Sequence, residues 1–341
     1  MERIRVAQIG IGHDHASGVF ETLQLMQDEV EIVGYCIPDD DRTFVETRIK
    51  YYAGFPQLSL EEILNDPTIR AVTVETEDHL LTKYTQFALD AGKHVHMDKP
   101  GGTDQCAFER MTKTAEEKGL ALSLGYMYRF NPALLELFEK VRAGELGEIL
   151  YVNAEMNCWH KPVKREWLGQ YPGGMMHFLG CHLVDLIYRL QGEPLEVIPL
   201  HASSGMDGIA SEDNALTAFR YPHGVSFART TASERGGYHR RNLVVVGTKG
   251  TFELKPSEYR DREIESWDSS GDFMKSDYHY TFETPWHLWV DTETTQPFHR
   301  YRNMLEAFLQ YVRGEKENPY TPEFEARLHR LLLKACGVEL P

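Results

Sequence analysis

Along the first part of the chain, short apolar runs alternate with segments whose apolar residues recur every three or four positions. Ile4 to Ile9 is the first run; it ends at Gly10-Ile11-Gly12, after which Val19, Phe20, Leu23 and Met26 mark one helix face. This predicts a strand, a tight turn and a helix. The alternation continues with strand Val30 to Cys36, a helix near Arg42 to Tyr52, and a helix opened by Ser59 with Glu62 three residues on, a capping box. Strand Ala71 to Glu75 follows, then a helix carrying Leu81, Tyr84, Phe87 and Ala88, strand His94 to Met97, a helix from Thr103 with Phe108 and Met111 inward, and strand Ala121 to Gly125. Such alternation predicts a parallel, doubly wound sheet.

Beyond Asn131-Pro132, a cap and first-turn proline for a helix through Leu135 and Phe138, the texture changes. Longer strands follow: Leu150 to Cys158, Val197 to Ala202, and Ala215 to Tyr221, which turns at Pro222-His223-Gly224 into Val225 to Thr231. Leu243 to Val246 joins Thr251 to Leu254 through Gly247-Thr248-Lys249-Gly250. Hairpins in series predict a large, mostly antiparallel open sheet. Helices Phe298 to Val312 and Pro322 to Cys336, the latter capped by Thr321, close the chain, and Asp261 to Asp277 is expected to be an exposed loop. The expected class is α/β, with a nucleotide-binding domain over residues 1–125 and a second α/β domain over 126–341 whose last helices are free to pack back on the first.

Composition narrows the partners. The chain has 341 residues, enough for two domains at about 150 residues each. Its 36 Lys and Arg against 52 Asp and Glu leave a formal charge of −16, which repels nucleic acid and anionic lipid. The five cysteines, Cys36, Cys106, Cys158, Cys181 and Cys336, form no C-x-x-C pair and read as reduced thiols. Met1-Glu2-Arg3-Ile4-Arg5 runs straight into a strand pattern with no signal-peptide core, so a cytoplasmic protein acting on a small molecule is expected.

Three constellations could carry chemistry. Gly10-Ile11-Gly12 sits between the first strand and first helix, where glycines let a backbone approach a pyrophosphate; His15 takes the third glycine position, and Ile37, followed by Pro38 and Asp39, falls where an acidic ribose ligand is usual. His94-Val95-His96-Met97-Asp98-Lys99-Pro100 puts a lysine at the carboxyl end of a parallel strand, where it could stabilise a developing alkoxide. Gly173-Gly174 opens an apolar helix on which His182 and Asp185 share a face, with His177 just upstream.

Gly10-x-Gly12, Asp98-Lys99-Pro100 and Gly180-x-His182-x-x-Asp185, in that order, together with Arg129-Phe130-Asn131-Pro132 and the Gly247 to Gly250 hairpin, resemble the Gfo/Idh/MocA family of nicotinamide oxidoreductases along nearly the whole chain. The resemblance implies an N-terminal Rossmann domain and NAD or NADP as cofactor, with NAD favoured. It also implies hydride transfer at a secondary alcohol of a sugar or cyclitol. Lys99 and His182 match the family's acid–base pair, with Asp185 expected to orient His182; Phe178 stands where the family has an aspartate, which makes the neighbouring His177 an alternative relay. Gly10, Ile11, Gly12, His13, His15, Ile37, Asp39, Thr76, Asp98 and Lys99 are the implied cofactor contacts.

Past the last strand of the nucleotide domain, Tyr128 and Arg129, with Trp159, His160 and Lys161, are candidate substrate contacts, Trp159 having core packing as its alternative. The open sheet predicts a homodimer or homotetramer. On this reading no metal is expected. The competing functions are a metal-dependent enzyme using the pairs His13-x-His15 and His94-x-His96 with His177, His182 and Asp185, and a non-catalytic sugar or nucleotide sensor.

Overall fold

The computed structural model describes residues 2–260, 273–283 and 288–340. These divide into two compact units, residues 2–127 with 299–329, and residues 128–260 with 273–298 and 330–340.

The first unit holds five parallel strands, β1 (Ile4–Ile9), β2 (Val30–Cys36), β3 (Ala71–Val74), β4 (His94–Met97) and β5 (Leu122–Leu124), in the order β2-β1-β3-β4-β5. The order reverses between β1 and β3, and the crevice outside the carboxyl ends at such a reversal is where open α/β sheets bind ligands. All four residues of β3 are buried, the signature of a strand covered on both faces. Around the sheet run α1 (Ala16–Gln24), α2 (Val45–Arg48), α3 (Leu60–Asn65), α4 (Leu81–Asp90) and α5 (Gln105–Lys118).

In the second unit, α6 (Pro132–Arg142) is capped by Asn131, whose Oδ1 accepts the Ala133 N–H at 2.9 Å. Its sheet contains β6 (Ile149–Asn157), β7 (Glu196–Ala202), β8 (Asn214–Tyr221), β9 (Gly224–Thr231), β10 (Asn242–Gly247), β11 (Thr251–Leu254), β14 (Asp277–Glu283) and β15 (Leu288–Thr294), in the order β15-β14-β11-β10-β6-β9-β8-β7. A separate three-stranded sheet, in the order β12 (Tyr259–Arg260), β13 (Phe273–Lys275) and β16 (Phe298–His299), has β12 and β13 antiparallel. Only β6 and β9 run parallel within the eight strands; the other neighbours are antiparallel. Helices α7 (Pro162–Leu168) and α8 (Cys181–Gln191) belong to this unit, and a π-helical turn, Met176–Gly180, leads into α8. α9 (Arg302–Arg313) returns to the first unit, where Arg313 pairs with Glu29 at 3.0 Å, and α10 (Pro322–Ala335) ends the chain's regular structure.

Several expected boundaries move. The helix expected from Phe298 starts at Arg302, because the His299 ring accepts the N–H groups of Tyr301 and Arg302, both at 3.3 Å, and so caps the helix there. The helix expected from Thr103 is capped one residue later by Asp104, which accepts the Ala107 N–H at 2.9 Å. The expected helix near Arg42 to Tyr52 shrinks to α2 and a 3₁₀ turn, Ile49–Tyr52, since Phe44 at φ +60° breaks it. Of the expected loop Asp261 to Asp277, residues 261–272 lie outside the described residues, while β13 and the start of β14 occupy the rest.

Candidate active site

At the end of β1 the chain turns at Gly10, whose φ of +85° suits glycine, and a side chain there would meet Thr76 Cγ2 at 2.3 Å. The two N–H groups that follow, on Ile11 and Gly12, both donate to Asp41 Oδ2, at 2.9 and 3.0 Å, while Asp41 Oδ1 accepts the Glu77 N–H at 2.9 Å. A buried carboxylate is thus seated on the glycine turn, and a Cβ on Gly12 would lie 1.9 Å from its Oδ1. Burial raises the Asp41 carboxyl, opposed by the three backbone donors. From α2, Arg48 closes over the turn, donating to the carbonyls of Ile11 and Gly12 and to Asp14 Oδ1 at 2.5 Å. Paired glycine-turn donors that hold an anion are the donor set a pyrophosphate needs. Ile37, Pro38, Asp39, Asp40, Ser59 and Tyr84 are among the residues lining a cavity of about 550 Å³ past β2, where an adenosine would extend. These residues fit a dinucleotide.

Beside the turn, the ends of β1, β3 and β4 gather ionisable groups. His13 Nδ1 lies 3.2 Å from Asp98 Oδ2 and 3.8 Å from Glu75 Oε2, and His13 Nε2 lies 3.4 Å from Asp78 Oδ1. His15 Nδ1 approaches the same Asp98 Oδ2 at 3.1 Å. Burial alone would raise Asp98, but His13 and His15 outweigh it and hold its carboxyl well below the usual range. Glu75 is raised, by burial first and then by the neighbouring Asp98. Burial pushes His96, on the same strand as Asp98, down to about 4. Lys99, 1% exposed, has its backbone N–H on Asp98 Oδ1 at 2.7 Å. Gly10, Ile11, Gly12, His13, His15, Thr76, Asp98 and Lys99 therefore share one sheet edge, with Ile37 and Asp39 on the adjoining cavity.

The second unit has its own buried polar group. Arg129 pairs with Asp185 through Nε at 3.0 Å and Nη2 at 2.8 Å, and Arg189 approaches Asp185 at 3.9 Å. Asp185 is thus held by guanidinium groups, with Arg129 offering the charge-assisted pairing. The His182 ring meets Tyr128 edge-on at 5.1 Å, and the Tyr128 hydroxyl donates to Glu258 at 2.5 Å beside Arg241. His177 stacks on Tyr171 at 4.9 Å. Trp159 is 36% exposed with the Arg235 guanidinium 4.6 Å above its ring, so core packing is ruled out for it. His160 packs edge-on against Phe178 at 5.9 Å, and exposed Lys161 sits at the start of α7. Of the other expected metal pair, His94 accepts the Ala121 N–H at 2.9 Å through its own ring, away from His96.

The family model described as an oxidoreductase family with an NAD-binding Rossmann fold matches residues 4–126, and the model of the Gfo/Idh/MocA C-terminal domain matches residues 134–253. The chain belongs to the Gfo/Idh/MocA family of oxidoreductases. Within the family, scyllo-inositol 2-dehydrogenase (NADP(+)) IolW of Bacillus subtilis is 29% identical over 180 residues, 52% of this chain and 48% of that protein. 1,5-Anhydro-D-fructose reductase of Ensifer adhaerens is 26% identical over 217 residues, 59% of this chain and 65% of that protein. The matches to these curated relatives thus span about half to two thirds of their length. The structure of levoglucosan dehydrogenase in complex with NADH and levoglucosan superposes with a TM-score of 0.77 at 15% identity, covering 98% of each chain. Among the described residues no helix is long and apolar enough to cross a membrane.

Asp41, Arg48 and Glu75 were not singled out from sequence. A charged residue directly after the buried run Ala71–Val74 was a usable signal for Glu75. Nothing distinguishes Asp41 from Asp39 and Asp40 before the chain is folded.

Proposed function

We propose that this protein is an NAD(H)-dependent oxidoreductase that interconverts a secondary alcohol and a ketone on a sugar, cyclitol or related polyol. The observation that carries the reading is the glycine turn that seats an anion beside buried Lys99, in the domain matched by the family's nucleotide-binding model. The dinucleotide supplies or accepts the hydride when bound. Ile11 and Gly12 hold its pyrophosphate with the donors that Asp41 otherwise occupies. Asp39 and Asp40, past the end of β2, line that cavity together with Lys83, which pairs with Asp40 at 2.6 Å, and an acidic residue in this place supports NAD over NADP.

Lys99 steadies the substrate oxygen and His182 exchanges its proton, with His177 as the alternative relay. Asp185 acts through Arg129 as a positioning pair, and Tyr128, Trp159, His160 and Lys161 contact the polyol, the exposed indole suiting the C–H face of a sugar ring. Lys99→Ala and His182→Ala should each lower kcat by about 10²- to 10⁴-fold with NAD affinity largely kept. Near wild-type turnover in either would overturn the assignment.

A homodimer or homotetramer through the eight-stranded sheet completes the reading. Leu200, Val225 and Val290, each more than half exposed, lie on one face of it with half-exposed Ile198 and Tyr151, a row set by strand register. Leu200→Glu should shift light scattering toward monomer. None of the five cysteines is in a disulfide, which supports a cytoplasmic home.

A further inference from the structure

His13, His15 and Asp98 each offer one ligand atom, and these atoms all lie within 4.8 Å of one another. The imidazole Nδ1 atoms of His13 and His15 both converge on a single oxygen, Asp98 Oδ2, at 3.2 and 3.1 Å. Ligands at about 2.0–2.1 Å from a tetrahedral ion stand about 3.3–3.4 Å apart, close to both separations from Asp98, and an ion would replace the 3.2 Å contact by which His13 Nδ1 accepts the His15 backbone N–H. Glu75 Oε2, 3.8 Å from His13 Nδ1, stands just outside this group.

Charge points the same way. Glu75 and Asp98 are fully buried, Asp78 is 1% exposed and faces His13 Nε2 at 3.4 Å, and among the described residues neither oxygen of Glu75 has a hydrogen-bond partner. Buried carboxylates left without donors are costly unless a cation compensates them. Arg48 is committed to Asp14 and the glycine-turn carbonyls, and the buried Lys99 ammonium offsets the rise of Glu75 only in part. The side chain of His15 keeps 18% of its surface in solvent, which leaves an entry path and an open coordination position.

We propose that this edge of the first unit binds one divalent first-row metal ion through His13, His15 and Asp98, with solvent completing its shell. Two imidazoles with carboxylates form a borderline nitrogen and oxygen set, which suits zinc, iron or cobalt over calcium or magnesium. This revises the expectation of no metal, and because its ligands are also expected dinucleotide contacts, the ion and NAD are titrated separately.

The test is titration of the chelator-stripped, full-length protein with Zn²⁺ and with Co²⁺, read by calorimetry and by the visible spectrum of the cobalt form. One ion per chain is expected, with the intense visible bands of a four- or five-coordinate cobalt site. His15→Ala and Asp98→Asn should each weaken binding by more than the 10- to 100-fold that even an outer-shell partner is worth. His239→Ala, at an exposed position of the second unit, should change nothing. Uptake that His15→Ala leaves intact would place the ion on surface histidines and overturn the proposal, as would failure of the wild type to bind either metal. If Asp98→Asn does not fold, His15→Ala, at a partly exposed position, and the cobalt spectrum still decide the matter. NAD affinity measured alongside separates a lost metal site from a lost dinucleotide site.

Discussion

In the second unit the buried carboxylates of Asp185, Asp213 and Glu258 each face a guanidinium, from Arg129 at 2.8 Å, Arg165 at 3.5 Å and Arg241 at 3.4 Å. In the first unit Asp41 is held by backbone N–H groups and Asp98 by imidazoles, while Glu75 has no donor at all. Permanent cations on stiff, buried stems fix a scaffold, because each pair is satisfied within the chain. Backbone dipoles and titratable rings are donors that a ligand can take over. The difference teaches that the second unit's buried charge builds structure, whereas the first unit's is arranged for something that arrives.

The largest test of that contrast is on the scaffold side. Arg129→Ala leaves Asp185 with only the distant Arg189 and should cost about 3–5 kcal/mol in urea unfolding. The double variant Arg129→Met with Asp185→Leu should recover most of that loss. A double variant as unstable as the single one would mean that Arg129 contributes packing instead of charge compensation.

A smaller effect is expected where donors are exchangeable. Asp41→Ala strands three backbone N–H groups but also removes a buried charge, so a loss of about 1–3 kcal/mol is expected, and inorganic phosphate or NAD should restore part of it by occupying the vacated turn. Stabilisation by phosphate that is equal in wild type and variant would sink the idea that the turn is an anion seat.

The smallest effect belongs to a site outside both groups. Ser59 accepts the Glu62 N–H at 3.1 Å and its own N–H donates to Glu62 at 2.7 Å, at the exposed start of α3. Ser59→Ala should therefore cost about 0.5–2 kcal/mol and leave both metal and NAD titrations unchanged, which makes it the control for general destabilisation.

Local patterns carried far in this chain because they act over a few residues. Apolar runs, the Ser59 and Asn131 caps, and the hairpin turns determined the strand–helix alternation and the change to a mostly antiparallel sheet, and the glycine turn and Asp98-Lys99-Pro100 each follow the carboxyl end of a parallel strand. Helix starts at Asp104 and Arg302 escaped, since which neighbouring side chain caps a helix depends on backbone direction that a pattern does not contain. Only the fold decided that Asp185 belongs to Arg129, that Asp41 rather than Asp39 reaches the glycine turn, and that His13, His15, Glu75 and Asp98 meet. Those contacts join residues that are dozens of positions apart, and the three-dimensional register of parallel strand ends, which sets them, is written in no single segment.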